Sequence, residues 1–358
     1  MIITILIFIL GFILITKGAD LFINCTVEIG KVTKIPNMVL GATIVSFATT
    51  LPEFSVSLMA SISNHTTMAL GNAIGSIICN TGLALGLVGI LKPFKIDKKS
   101  FFYKSSFLMI SLTVFLILGM DKSVGGLDSV ILLSMLGIYM YMNYSEIKHE
   151  SISRNFGNNK SIDTNQSKNN NSFKKSLYYT IKNRKNIIKN KASKNTNKIH
   201  FIRKYNLKKV IKTVFIFFLG LTMMLAGSKF LIESGIKISY VLNIPKGIVS
   251  LTVIALGTSL PELVSALTAM KKGCSSITVG NIIGANTLNL LSVIGASSVA
   301  NPLPVLDQSR LLDFPVMILI ILVLVVPTYF KHKISRMQGF LMLAIYTAYM
   351  IILYKVYL

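Results

Sequence analysis

Two segments set a proline beside a glutamate in the middle of apolar runs: ATTLPE at 48–53 and GTSLPE at 257–262. An ionisable residue at membrane depth is expensive and marks function by default. A proline inside a helix lacks an N–H and clashes with the carbonyl four residues back, here that of Ala48 or Gly257. Such a break is tolerated in a membrane only against protein or a water-lined cavity. It also supplies neutral oxygens able to hold a cation. Thr49, Thr50, Thr258 and Ser259 add hydroxyl oxygens in the same turns, and Glu53 and Glu262 supply charge.

Each segment is followed by a second block, GNAIGSIICN at 71–80 and GNIIGANTLN at 280–289. Asn72, Ser76 and Asn80 share one helix face by their spacing of four, as do Asn281, Ala285 and Asn289. Asn80 and Asn289 read as ion ligands, whereas Asn72 and Asn281 fit packing as well as coordination. The Gly71/Gly75 and Gly280/Gly284 pairs make surfaces that let helices approach closely. Carboxylate, amide, hydroxyl and carbonyl oxygens suit hard cations, and Ca²⁺ takes roughly 6–8 of them. Two carboxylates neutralise one Ca²⁺ or a pair of Na⁺, so the two ions compete for one site and cross in alternation. An H⁺/Ca²⁺ antiporter, with the glutamates trading protons, is the alternative. A cation channel fits less well, because channels draw rings of acids from several subunits.

The elements that position these residues occur twice. Glu262 stands 209 residues after Glu53, and the same offset relates Pro36 to Pro245, Thr49 to Thr258, Pro52 to Pro261 and Asn80 to Asn289. Apolar stretches predict ten spans, near 2–19, 36–61, 67–91, 101–119, 126–144, 210–234, 246–270, 276–300, 311–329 and 335–357. Five spans per half is an odd number, so the second half enters the membrane from the opposite side. The predicted fold is an all-α membrane protein, ten transmembrane helices as two inverted five-helix repeats with the site at the midplane. Residues 1–144 form the first repeat, 145–209 a linker and 210–358 the second repeat.

The net charge of +24 is concentrated in that linker, where 17 Lys/Arg face 3 acids between Glu146 and Lys209. Its Asn/Ser/Lys-rich composition predicts a low-complexity, disordered cytoplasmic segment that touches anionic lipid rather than nucleic acid. Basic residues in the loops near 31–34, 92–99, 271–272 and 331–336 fall on the same side, which puts both termini outside a cell membrane. The first apolar run has no basic leader or small-residue cleavage site, so it reads as a retained span. Cys25, Cys79 and Cys274 have no paired spacing and read as buried thiols. The chain reads as a transporter, not an enzyme, with no cofactor and with both carboxylates supplied by one monomer.

ATTLPEFSVSL with GNAIGS, and GTSLPELVSAL with GNIIGAN, resemble the two α-repeats of the Ca²⁺/cation antiporter superfamily, most of all its prokaryotic Na⁺/Ca²⁺ exchangers. The resemblance implies Na⁺-driven Ca²⁺ movement by alternating access, the first span of each half sliding across a fixed core. It implies Thr49, Thr50, Glu53, Ser76 and Asn80 as ligands, with Thr258, Ser259, Glu262 and Asn289 as their mates. The backbone carbonyls of Ser46 and Ala255 join them. Two positions depart from the family's pattern. Ala285 stands where a serine is usual, which removes a hydroxyl from one Na⁺ site. Asn80 and Asn289 stand where many members carry Asp, which points away from the K⁺-dependent branch.

Overall fold

The computed structural model describes residues 2–33, 35–160, 207–241 and 255–357. Contacts divide the chain into two compact units, 1–147 with 217–358, and 148–216. Of the second unit, the described parts are the continuation of one helix to Lys160 and the start of another at Leu207. The expected linker otherwise lies outside the described residues.

The helices follow the apolar runs. They are α1 Ile2–Thr33, α2 Asn37–Thr49 and α3 Leu51–Ile62, α4 Thr66–Leu91 and α5 Lys98–Asp121. After α6 Gly126–Lys160 and α7 Leu207–Val241 come the short α8 Ala255–Thr258 and α9 Leu260–Lys271. Then follow α10 Ser275–Ala300 and α11 Ser309–Lys331, and α12 Arg336–Tyr357. Seven of these are long and apolar enough to cross a bilayer, and α2 with α3, bent by 43°, makes an eighth. The expected span near 210–234 coincides with α7, whose described apolar part is Ile211–Gly227. The span near 246–270 begins outside the described residues and is seen from Ala255 onward.

Among the described residues, four two-residue strands interrupt the helical pattern at loops. These are β1 Phe94–Lys95, β2 Ser123–Val124, β3 Leu303–Pro304 and β4 Lys333–Ile334. β1 pairs antiparallel with β4, and β2 with β3. The 209-residue offset carries β1 onto β3, and carries β2 to within one residue of β4. Each ribbon therefore joins an element of one half to the mate of the element used by the other ribbon. That exchange is what a two-fold relation between the halves produces.

The enclosed helices are α4 and α10, while α1, α6 and α12 turn much of their apolar surface outward. Glycines set the closest crossings. A Cβ on Gly41 or Gly280 would collide with the backbone of the facing helix, at Ile277 and Met38 respectively, and one on Gly284 would lie 2.6 Å from the Ser46 hydroxyl. Helix α10 thus lies backbone to backbone on α2, as the small-residue spacing of Gly280 and Gly284 predicts. Of the equivalent partners of Gly71 and Gly75, residues 247 and 251 lie outside the described residues, and Ala255, the mate of Ser46, opens α8. Helices α1 and α7 meet in the same manner: Gly18 faces Gly220 and Gly227 faces Gly11, two contacts exchanged by the offset.

Two apolar clusters form around this frame. The larger is built on α4, α5, α10 and α11 and includes Ile77, Leu108, Phe115, Ile283 and Ile320. The smaller holds Ile15, Ala19, Phe22 and Ile23 of α1 with Leu221 and Met224 of α7, packed on Val45, Ala48, Val264 and Ile277. A further in-helix proline, Pro327, is compensated from a neighbouring helix. Pro327 cannot donate to the Val323 carbonyl, and Gln338 Nε2 of α12 donates to that oxygen at 2.9 Å.

Candidate functional site

The two Pro–Glu segments form the same local structure. Helix α2 stops at Thr49, and Thr50 (φ −82°, ψ −1°) turns the chain into α3. Helix α8 stops at Thr258, and Ser259 (φ −86°, ψ 2°) turns it into α9. In both, proline occupies the first turn of the new helix, where its missing N–H is no loss. Glu53 and Glu262 sit in those first turns. A helix N-terminus carries partial positive charge, which favours a carboxylate there. The proline therefore starts a helix under each glutamate as well as ending the one before it.

The glutamates are fully buried, as are Ser46, Thr49, Ser76, Asn80, Thr258 and Asn289. The two breaks face each other. Thr50 Oγ1 donates to Glu262 Oε1 at 3.4 Å, and Ser259 Oγ donates to Glu53 Oε1 at 3.2 Å. These contacts are long beside the roughly 2.5–2.7 Å of a tight hydroxyl–carboxylate bond, so the hydroxyl oxygens are loosely held. A second reciprocal pair lies alongside. Thr49 Oγ1 shares its proton between the Val45 carbonyl at 3.1 Å and Asn281 Oδ1 at 3.3 Å, and Thr258 Oγ1 donates to Asn72 Oδ1 at 3.3 Å.

Asn72 and Asn281 therefore hold the threonines in place. Asn72 Nδ2 donates to Ser57 Oγ at 3.0 Å and to the Glu53 carbonyl at 3.4 Å, and Asn281 Nδ2 to Ser265 Oγ at 3.3 Å. Of the two roles their sequence allowed, the structure gives them hydrogen bonds to protein. Asn80 and Asn289 differ. Each opens a π-helical turn, Asn80–Leu85 and Asn289–Val293, a feature that often marks functional sites. The turn of Asn80 packs on α9 and that of Asn289 on α3, so each amide lies beside the helix of the opposite glutamate. Neither amide has a hydrogen-bond partner, and the same holds for Ser76 Oγ, Glu53 Oε2 and Glu262 Oε2. Leaving one buried polar atom unpaired costs about 1–3 kcal/mol. These unpartnered groups, on the helices that carry the two glutamates and on those that pack against them, make up the candidate site.

The carbonyl of Ser46 accepts the Thr50 N–H at 2.9 Å, and the Thr49 hydroxyl lies 3.5 Å from the same oxygen. Ala255 opens α8 in the equivalent position. Ala285 is fully buried and offers no hydroxyl where its mate Ser76 does. Among the described residues no lysine or arginine is paired with either glutamate. Sequence reasoning missed Ser57 and Ser265, although FSVSL and LVSAL place a serine near each glutamate. It also missed Tyr139, whose hydroxyl donates to the Ala42 carbonyl in the π-helical part of α2 at 3.0 Å. No local signal points to a partner 97 residues away.

Fold and site together define a multi-pass helical membrane protein with a buried, two-fold, oxygen-lined polar centre. The family model described as sodium/calcium exchanger protein matches residues 3–145 and 212–355. The chain belongs to the sodium/calcium exchanger family, within the Ca²⁺/cation antiporter superfamily. It is 28% identical over 363 aligned residues to the sodium/calcium exchanger MaX1 of Methanosarcina acetivorans, covering 98% of each chain. It is 24% identical to the inner membrane protein YrbG of Escherichia coli K12, covering 87% of this chain and 84% of that one. Among solved structures it resembles the sodium-calcium exchanger NCX_Mj, soaked with Na⁺ and Ca²⁺, with a TM-score of 0.73, 27% identity and 97% of both chains covered.

Proposed function

We propose that this protein exchanges Na⁺ for Ca²⁺ across a cell membrane by alternating access. The observation that carries the reading is the pair of buried glutamates at two helix breaks, each facing a hydroxyl of the other half, amid amide and hydroxyl groups without partners. Glu53 and Glu262 supply the charge that one Ca²⁺ or two Na⁺ neutralise. Thr49, Thr50, Ser76, Asn80, Thr258, Ser259 and Asn289 supply side-chain oxygens, and Ser46 and Ala255 supply carbonyls. Neutral hydroxyl and amide oxygens favour Na⁺ over H⁺ as the coupled ion, since a proton needs no such cage. The relatives named as sodium/calcium exchangers support the same assignment.

In this reading the halves are inverted five-span repeats, the termini face outward, and the basic linker lies in the cytoplasm. A single chain suffices, because it provides both carboxylates. Helices α1 and α7 move as a pair across the site. Their glycine crossing and their own small apolar cluster support that, because the pair shares few side chains with the larger core.

The test is Ca²⁺ uptake by proteoliposomes carrying the purified chain. Uptake should scale with an outward Na⁺ gradient and reverse with it. Uptake that follows a proton gradient and ignores Na⁺ would establish the H⁺/Ca²⁺ alternative instead.

A further inference from the structure

Among the buried polar contacts that the duplication does not repeat is one between α4 and α10. Asn286 Nδ2 of α10 donates to Thr81 Oγ1 of α4 at 2.7 Å. Both residues are fully buried, and Asn286 Oδ1 has no hydrogen-bond partner. By the 209-residue offset, the mate of Asn286 is Ile77 and the mate of Thr81 is Leu290. Those two are also fully buried. The fold therefore accepts apolar side chains at the equivalent places, and packing alone gives no reason for an amide here. An unpaired buried carbonyl oxygen carries a cost of about 1–3 kcal/mol that Ile77 and Leu290 avoid.

The position of Asn286 suggests what offsets that cost. At about 100° per residue, side chains 285, 286 and 289 fall within roughly 100° of helix circumference. Ala285 is where this half lacks the hydroxyl that Ser76 provides in the other, and Asn289 is one of the unpartnered amides. Thr81 follows Asn80 directly. The Thr81 contact fixes the amide with its nitrogen toward α4 and leaves the oxygen free for another partner.

We propose that Asn286 Oδ1, oriented by Thr81, is a ligand for one of the exchanged Na⁺ ions and stands in for the hydroxyl missing at Ala285. The proposal rests on the Na⁺/Ca²⁺ reading above. Amide oxygens can ligate Ca²⁺ as well, so the assignment to Na⁺ is decided by which ion's half-saturation moves when the amide is removed. The duplicated frame thus holds a non-duplicated Na⁺ site.

The experiment uses the full chain in proteoliposomes. It compares the Na⁺ dependence of Na⁺-driven Ca²⁺ flux with Ca²⁺–Ca²⁺ self-exchange of labelled Ca²⁺ in Na⁺-free medium. In Asn286→Leu the half-saturating Na⁺ concentration should rise about fivefold, the equivalent of one lost neutral contact, with Ca²⁺ half-saturation shifting less than about twofold. Adding Ala285→Ser to that variant should recover most of the Na⁺ shift. Thr81→Val, a milder change, should shift Na⁺ in the same direction by about twofold. An unchanged Na⁺ dependence in Asn286→Leu, a parallel shift of both ions, or no recovery by Ala285→Ser overturns the proposal. If Asn286→Leu does not fold, an unchanged Na⁺ dependence in Thr81→Val overturns it. A parental protein that moves Ca²⁺ without any response to Na⁺ removes the Na⁺/Ca²⁺ reading itself, and is seen in the parent before any variant is made.

Discussion

The turns that follow the two glutamates make one comparison, and the buried charges of the outer helices make another. After Glu53, the N–H groups of Ser63, Asn64 and His65 donate to the carbonyls of Met59, Ser61 and Ala60. After Glu262, those of Lys272, Gly273 and Cys274 donate to Thr268, Met270 and Ala269, the same pattern 209 residues on. Even the left-handed residue recurs, as Asn64 (φ 63°) and Gly273 (φ 73°), the two residue types that tolerate it best. In the outer helices the offset relates Lys104 of α5 to Asp313 of α11, two residues of opposite sign. Lys104 pairs with Glu146 at 2.7 Å and Asn143 at 2.8 Å, and Asp313 accepts from Tyr349 at 2.9 Å. Around the glutamates the halves keep a common geometry, because each break completes the other. In the outer layer any locally satisfied buried charge serves, so the halves have diverged.

The comparison can be broken most severely at its centre. Glu53→Gln and Glu262→Gln keep side-chain size and remove one of the two charges of the proposed site. Each should reduce Na⁺-driven Ca²⁺ flux by about a hundredfold or more, the loss of roughly 3 kcal/mol of charge-assisted binding. Both variants should still insert and purify. Flux near the parental rate in either one would mean that the halves do not share a two-carboxylate site.

One step outward, Thr49→Val and Thr258→Val each remove a hydroxyl and leave the facing Asn281 or Asn72 short of one hydrogen bond. Each should lower flux about tenfold, since a lost contact of this kind is worth about 1–2 kcal/mol. The two losses should agree within about threefold if the threonines are equivalent. A tenfold disagreement in Ca²⁺ half-saturation would show that one half dominates binding.

The smallest effect is expected where no duplication exists. Deleting residues 162–204, from the basic stretch joining the halves, should leave flux within about twofold of the parent, because closure entropy changes only slowly with the length of a connecting chain. Loss of Na⁺-driven flux in a well-folded deletion protein would give that stretch a role beyond connection.

Much of the site was legible because membranes make sequence expensive. A glutamate and a proline in an apolar run must each be accounted for, and their recurrence at one offset identified both breaks and the shared helix face of 72, 76 and 80. The type of partner for Asn72 and Asn281 was not legible. Spacing puts a side chain on a helix face, and cannot tell whether an ion or a threonine from the other half meets it. The asymmetric pair Asn286–Thr81 was missed because searching for repeats weighs positions that match and passes over those that differ.

By itself the sequence determined that the chain is a helical membrane protein, its duplication at one offset and the positions of the two breaks. Apolar length, proline geometry and intramembrane charge are local constraints that read directly from residue order. Only the tertiary structure decided which oxygens face one another: Thr50 with Glu262, Ser259 with Glu53, Thr49 with Asn281 and Thr258 with Asn72. It also decided which stay unpartnered, at Ser76, Asn80 and Asn289. Those facts depend on how closely α10 lies on α2, set by contacts at Gly41, Gly280 and Gly284 between residues more than two hundred positions apart.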